Sequence, residues 1–228
     1  MRSHLFTIPS LLLAGAVFGQ SAQAQTPPPA ASHKKSTPEH KAAPMTMPIR
    51  NFKLSGSPAA PLTVELFTDY ECPSCRNFYM QVLPQLEKEY VATGKIQLMH
   101  RDYRLPQHQF SKLATRFANA AGQLGPEQYK LVAGQLFEKQ QEWSANGNVD
   151  AAVAKVLSPS DMAKVREMVK SDSHLEDSST ADEKIAAADG LNQTPTLVIV
   201  NKGKRTKIDG FVPFNILKSY LDQMLAKG

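Results

Sequence analysis

The chain is predicted to adopt an α/β fold in which a βαβ segment and a ββα segment are separated by a block of helices. Three observations predict it. Strand-like apolar runs occupy 62–67, 95–102 and 196–209 and are absent from the long stretch between the last two. That stretch carries apolar stripes at helical spacing instead. The sequence Cys72-Pro73-Ser74-Cys75 falls where the first of these strands runs into a helix. Two separated parts of the chain must then meet to complete one sheet. The expected organisation is a discontinuous domain over 50–105 and 191–228, with a helical subdomain, 106–190, inserted into it.

The N-terminus is read as a targeting segment. Arg2 supplies a positive start, Leu5 to Phe18 form an apolar core interrupted by Pro9, and Ala22-Gln23-Ala24 has the small-x-small form of a cleavage site. Cleavage after Ala24 defines a signal peptide over 1–24 and implies export, to a periplasm or its equivalent. A membrane anchor is the alternative, and the apolar stretch is short for one. No cysteine precedes Cys72, which excludes lipidation at the cleavage site. The segment 25–49 holds Pro27, Pro28, Pro29, Pro38, Pro44 and Pro48 with few apolar residues, the composition of a disordered linker. His33 and His40 in it are expected to be solvated rather than metal-bound.

The elements follow in order. Arg50 to Leu54 is expected to form a short edge strand, turned by Ser55-Gly56-Ser57-Pro58 into the first core strand, Leu62 to Phe67. Phe78, Tyr79, Val82, Leu83, Leu86 and Tyr90 then recur at helical spacing, and Gly94 closes that helix. Pro84 lies inside the pattern and should break it about one turn earlier. Lys95 to Asp102 is the next strand, with Ile96, Leu98 and His100 on one face. In the inserted block, the first stripe runs from Phe110 to Leu124 and the second from Tyr129 to Phe137. Val149 to Val156 and Met162 to Val169 form the others. Ser173 with Glu176 has the form of a capping box for a last helix, ended by Gly190. Trp143 is expected to pack rather than bind. A hairpin follows, Thr196 to Val200 and Arg205 to Asp209, turning at Asn201-Lys202-Gly203-Lys204. Pro213 opens a C-terminal amphipathic helix with Leu217 and Leu221 on its apolar face.

Cys72 and Cys75 carry the chemistry. With Pro73 at the first helical position, where a missing N–H costs nothing, Cys72 sits at the helix start and Cys75 one turn on. The free N–H groups and dipole of the helix end favour a thiolate at Cys72. A merely structural bridge over so short a loop would stabilise by only about 2 kcal/mol, against about 3 for a fifteen-residue loop. Zinc usually needs four ligands, and no second CxxC or CxxH is present. The spacing therefore points to a redox-active pair, with no cofactor required.

Four stretches extend this reading. They are Phe67 to Cys75; Val82-Leu83-Pro84-Gln85-Leu86 continuing through Tyr90 to Gly94-Lys95-Ile96; Arg101-Asp102-Tyr103-Arg104-Leu105; and Gln193-Thr194-Pro195-Thr196-Leu197. In this order and spacing they resemble the DsbA-like family of exported thiol-disulfide oxidoreductases, a thioredoxin fold with an inserted helical domain. The resemblance covers the chain from about Pro58 onward. It implies a cis peptide at Thr194–Pro195 lying against the CPSC turn, with Thr194 touching and tuning the Cys72 sulfur. It also implies an edge beside Pro195 on which an extended client peptide pairs. Partners implied are client proteins with cysteine thiols and a membrane redox partner that recycles the pair. Family members often carry a buried acid six residues before the first cysteine; here that position is Leu66. Glu65 should face the other way, since side chains alternate along a strand. Asp69 is nearer the cysteines, where it can shape the turn, and no carboxylate is assigned as a catalyst. Ser74 brings no charge where the most oxidising members have histidine, so a less oxidising potential is expected.

Disulfide formation in clients is the leading function. Reduction or isomerisation of client disulfides uses the same site in reverse. A copper(I)-binding protein using the two thiolates, or a peptide-binding chaperone with little redox chemistry, are alternatives from other classes. The formal net charge of +5 does not indicate nucleic-acid binding, because basic residues are interspersed with acids and form no aromatic-interleaved stripe.

Overall fold

The structure is a computed structural model that describes residues 51–227; the predicted signal peptide and linker lie outside the described residues. A five-stranded mixed sheet is formed by β1 (Leu54–Ser55), β2 (Leu62–Thr68), β3 (Ile96–Asp102), β4 (Thr196–Asn201) and β5 (Lys204–Asp209). Its order is β1-β3-β2-β4-β5, with β2 and β3 parallel and every other pair antiparallel. The two chain segments predicted to share one sheet do so, through β2 against β4 with Leu66 opposite Leu197. The edge strand is shorter and later than the sequence suggested, at Leu54–Ser55 rather than 50–54. Ahead of it the chain turns, the Leu54 N–H bonding the Asn51 carbonyl, while the Lys53 carbonyl still accepts the His100 N–H of β3 at 2.9 Å.

The helix after β2 begins as α1 (Pro73–Gln81), stops at Val82, and resumes as α2 (Leu83–Leu86) before a π-helical turn at Glu87–Val91. Pro84 has no N–H to return to Met80, which is the reason for the interruption; the break falls two residues before the proline rather than a full turn. Gly94 closes this run at φ +71, a conformation that favours glycine. The hairpin between β4 and β5 turns through Lys202 (φ +48) and Gly203 (φ +79), the pair of positive φ values that matches the twist of a two-residue hairpin.

The inserted helices are α3 (Ser111–Leu124), α4 (Pro126–Glu138), α5 (Gln140–Ser144), α6 (Val149–Val153), α7 (Pro159–Ser171) and α8 (Asp177–Ala188). The capping box predicted at Ser173 and Glu176 does not form. Ser173–Glu176 is a 3₁₀ turn capped by Asp172, whose side chain accepts the His174 N–H. Glu176 is drawn away by Arg116 (2.9 Å), Lys112 (3.1 Å) and Arg104 (3.4 Å). The last helix, α9 (Phe214–Ala226), follows Pro213 as predicted. Trp143 is buried and its indole N–H donates to the Leu136 carbonyl at 2.7 Å, a packing role. No helix among the described residues is long and apolar enough to cross a membrane.

Strand alternation divides β2 between two environments. Leu62, Val64 and Leu66 join Phe78, Leu86, Leu217 and Leu221 in the apolar layer under α1 and α9. Phe67 packs with Ala186 and Leu191 on the other face. Glu65 also lies on that face and enters a buried ionic network. It pairs with Arg101 (2.8 Å) and Arg205 (2.7 Å), Arg101 pairs with Asp182 (2.8 Å), and Lys53 joins Asp182 (3.1 Å) to Asp102 (2.5 Å). The network links the chain ahead of β1 to β2, β3 and α8. Removing one partner strands the others without compensation. Lys53→Met should therefore lower unfolding stability by about 3–5 kcal/mol, read from urea transitions.

Candidate active site

The turn from Asp69 to Cys72 carries the chain from β2 to α1. Cys72 is the N-cap of α1 with φ −71° and ψ 119°, the extended conformation imposed on a residue before proline. Pro73 occupies the first helical position, so Cys75 returns to the same side one turn later. Both cysteines are free thiols, Cys72 6% exposed and Cys75 fully buried. Tyr70, Cys72 and Cys75 pack with the inserted helices, in the cluster that also holds Phe137 and Trp143. The inserted block thus supplies the dry wall behind the second sulfur.

Thr194–Pro195 is a cis peptide and lies against the turn, as the resemblance implied. In its protonated form the Cys72 thiol donates to the Thr194 carbonyl at 3.4 Å. The Thr194 hydroxyl is buried and has no other hydrogen-bond partner among the described residues, which leaves it to stabilise the Cys72 thiolate. On the other side of the proline, the Pro195 carbonyl accepts the Gly210 N–H at 2.8 Å, which fixes the loop to the end of β5.

These neighbours separate the two thiols electrically. Cys72 is lowered from its ordinary value of 9.0 to about 6, first by the hydrogen bond from the Cys75 thiol, then by Thr194 and the N–H groups of Cys75 and Ser74. Burial opposes this lowering and is outweighed. Cys72 makes no full side-chain capping bond, so those N–H groups act at longer range. The sequence places the stabilisation mainly in the helix end and local N–H groups; those N–H groups contribute, and the Cys75 side chain is the largest single cause. Cys75 itself is pushed well up, mainly by burial and further by the bond it donates to Cys72. At neutral pH the site holds a thiolate at Cys72 and a thiol at Cys75. That is the arrangement of a nucleophile with a resolving partner.

Five of the six predicted site residues converge. Cys72, Cys75, Pro73, Thr194 and Pro195 meet around the sulfurs, while the Ser74 side chain is exposed and contributes its N–H, not a charge. Leu66 is fully buried in the apolar layer, and Glu65 is held in the ionic network on the opposite face. Neither offers a carboxylate to the sulfurs. Asp69 is 1% exposed and braces the turn. Its carboxylate accepts the N–H groups of Glu71 (2.8 Å) and Leu105 (2.6 Å) and the Ser111 hydroxyl, with His108 Nδ1 2.9 Å away. Glu71 accepts the Phe110 N–H at 2.5 Å and the Ser111 hydroxyl at 3.2 Å. Sequence reasoning missed Glu71 and Ser111 in this brace. The local signal was an aspartate two residues before a residue whose N–H it can take; the Ser111 contact has no local signature.

A family model described as Thioredoxin matches residues 52–222. Disulfide bond formation protein D of Bacillus subtilis is 25% identical over 189 residues, covering 78% of this chain and 78% of that protein. Among solved structures, oxidised BdbD of Bacillus subtilis superposes with a TM-score of 0.65 at 23% identity, covering 77% of this chain and 93% of the other. Alpha-DsbA1 of Wolbachia pipientis gives 0.63 at 20% identity, covering 80% and 94%. The likeness to these structures extends to the thioredoxin-like sheet together with its helical insertion.

The charge separation makes the reduced form pH-sensitive. A folded-state pKa depressed at Cys72 adds stability that is complete above its ordinary value of 9.0 and is lost as pH falls through about 6. Stability of the reduced protein relative to the oxidised one should rise with pH between those values, in paired melting curves. Alkylation of Cys72 should reach half its maximal rate near pH 6, whereas Cys75 in Cys72→Ser should stay unreactive until well above an ordinary thiol's range.

Proposed function

The chain belongs to the thioredoxin family and is a thiol-disulfide oxidoreductase, and from that premise we propose that it works as an exported oxidase that forms disulfides in client proteins. The observation that carries the proposal is the Cys72 sulfur, stabilised as a thiolate beside a buried Cys75 thiol. A stabilised thiolate makes the reduced state favourable and Cys72 a good leaving group, both of which favour giving a disulfide away. The leader-like 1–24 supports an oxidising compartment, where such chemistry is useful.

The cycle starts from the Cys72–Cys75 disulfide. A client thiolate attacks Cys72 Sγ; the bond to Cys75 breaks, and Cys75 leaves with the electron pair and takes up a proton in its buried site. The client is now joined to Cys72 as a mixed disulfide. A second client thiolate attacks the client sulfur of that bond and expels Cys72 as a thiolate. Two electrons have moved from the client dithiol to the cysteine pair. A membrane partner that accepts those electrons is part of the proposal.

Client backbone is proposed to pair beside Thr194 and Pro195, with the Pro195 carbonyl's hold on Gly210 keeping that edge in place. Phe211, 40% exposed and adjacent in the chain, offers apolar surface for client side chains. The division into a discontinuous thioredoxin-like part, 50–105 with 191–228, and an inserted subdomain, 106–190, belongs to the same proposal. It is supported by separate apolar clusters under the sheet and among the helices.

Oxidised protein mixed with a reduced client should transfer one disulfide per molecule and end as the dithiol, counted by thiol trapping. Mixed instead with a client that carries a disulfide, Cys75→Ser should attack it through the Cys72 thiolate, release one client thiol and accumulate as a mixed disulfide, visible as gel-shifted species lost on reduction, and Cys72→Ser should transfer nothing. An oxidised form that transfers nothing, beside a dithiol form that reduces client disulfides, would contradict the oxidase reading.

A further inference from the structure

Gln140 opens α5 and is 3% exposed, yet it belongs to none of the apolar stripes and makes no ion pair. Its side-chain amide reaches out of the inserted helices to the redox turn. Nε2 donates to the Tyr70 carbonyl at 2.7 Å and to the Cys72 carbonyl at 3.0 Å. Both acceptors are backbone oxygens, so only the NH₂ end of the amide can face them. Its two donors bridge the residues on either side of Glu71.

The position of Gln140 is itself determined by packing. Phe137, one turn earlier, stacks on Tyr79 at 4.5 Å and lies 4.9 Å from Tyr70. Trp143, one turn later, is locked by its bond to the Leu136 carbonyl. A packed aromatic block therefore presents a single amide to the Tyr70 and Cys72 carbonyls, on the side of the turn away from the Asp69 and Glu71 brace. Pro73 contributes no N–H, and among the described residues the Cys72 carbonyl otherwise meets the Arg76 N–H, at 3.1 Å. The plane of the Cys72–Pro73 peptide governs how α1 departs.

We propose that Gln140 is a positioning residue of the redox centre, through which the inserted helices hold the Cys72–Pro73 peptide in the orientation that aims the Cys75 thiol and the start of α1 at Cys72 Sγ. The proposal deepens the thiol-exchange reading of the site and does not depend on the direction of electron flow. It gives the helical insertion a role in setting sulfur chemistry as well as in covering it.

The test is the pH profile of alkylation of Cys72 in the reduced protein, with the glutathione equilibrium measured alongside. Gln140→Met keeps the size and removes both donors. Its alkylation midpoint should rise by about one pH unit, about tenfold fewer thiolates below the midpoint. The equilibrium should move about tenfold toward the disulfide, about 30 mV for this two-electron couple. Val165→Ala, a cavity in α7 away from the turn, controls for stability: it should lower the melting temperature and leave the midpoint in place. Gln140→His retains one donor and should give a smaller shift; it carries the test should Gln140→Met fail to fold. A folded Gln140 variant with the wild-type midpoint and equilibrium would overturn the proposal, whatever its melting temperature. A wild-type midpoint near 9 would instead remove the site reading on which the proposal rests.

Discussion

The electrostatic coupling between the Cys75 thiol and the Cys72 sulfur is the interaction on which the chemistry of this protein depends. It exists because the two sulfurs, one helical turn apart, are solvated differently. Cys75 is sealed beneath the turn and keeps its proton, and that proton stabilises the charge on Cys72. Neither thiol is unusual alone. The difference in burial converts an ordinary pair into one with a nucleophile and a reserve, and it can do so only while the turn holds its shape.

Much of the surrounding structure holds that shape. Asp69 and Glu71 tie the turn to Leu105, Phe110 and Ser111, on the connection from β3 to α3. Gln140 ties it to α5. The cis-proline loop closes it from the β4 side through the Thr194 carbonyl. The sheet places these elements: β2 delivers the turn, and its antiparallel pairing with β4 brings Pro195 beside it from far along the chain. Below, the network of Lys53, Asp102, Asp182, Arg101 and Glu65 clamps the opposite face. It also takes Glu65 out of reach of the sulfurs, so proton transfer at Cys75 has no acid on β2 to draw on.

The sequence made the frame readable because its signals are periodic or local. Alternation in β2, helical stripes in α3 and α4, and the Pro73 start of α1 depend on near neighbours, and each lies where its pattern indicated. The interruption near Pro84 was readable for the same reason. Long-range contacts were not. Ser173 and Glu176 match a capping box, but Glu176 has three cationic partners elsewhere that compete for it. Gln140 looks like one glutamine among several in a polar stretch, and only the fold reveals which carbonyls it serves. The contribution of Cys75 to the charge on Cys72 has no local signature, because it depends on how deeply the insertion buries the second thiol.

The central claim is that this asymmetry makes the pair an oxidant. The direct test is the equilibrium potential of Cys72–Cys75 against glutathione, measured by thiol trapping on the protein without residues 1–24. The account predicts a value above about −180 mV, on the oxidising side of the protein disulfide isomerase range. A value near or below about −250 mV, in the range of thioredoxin, would contradict it and assign the pair to reduction.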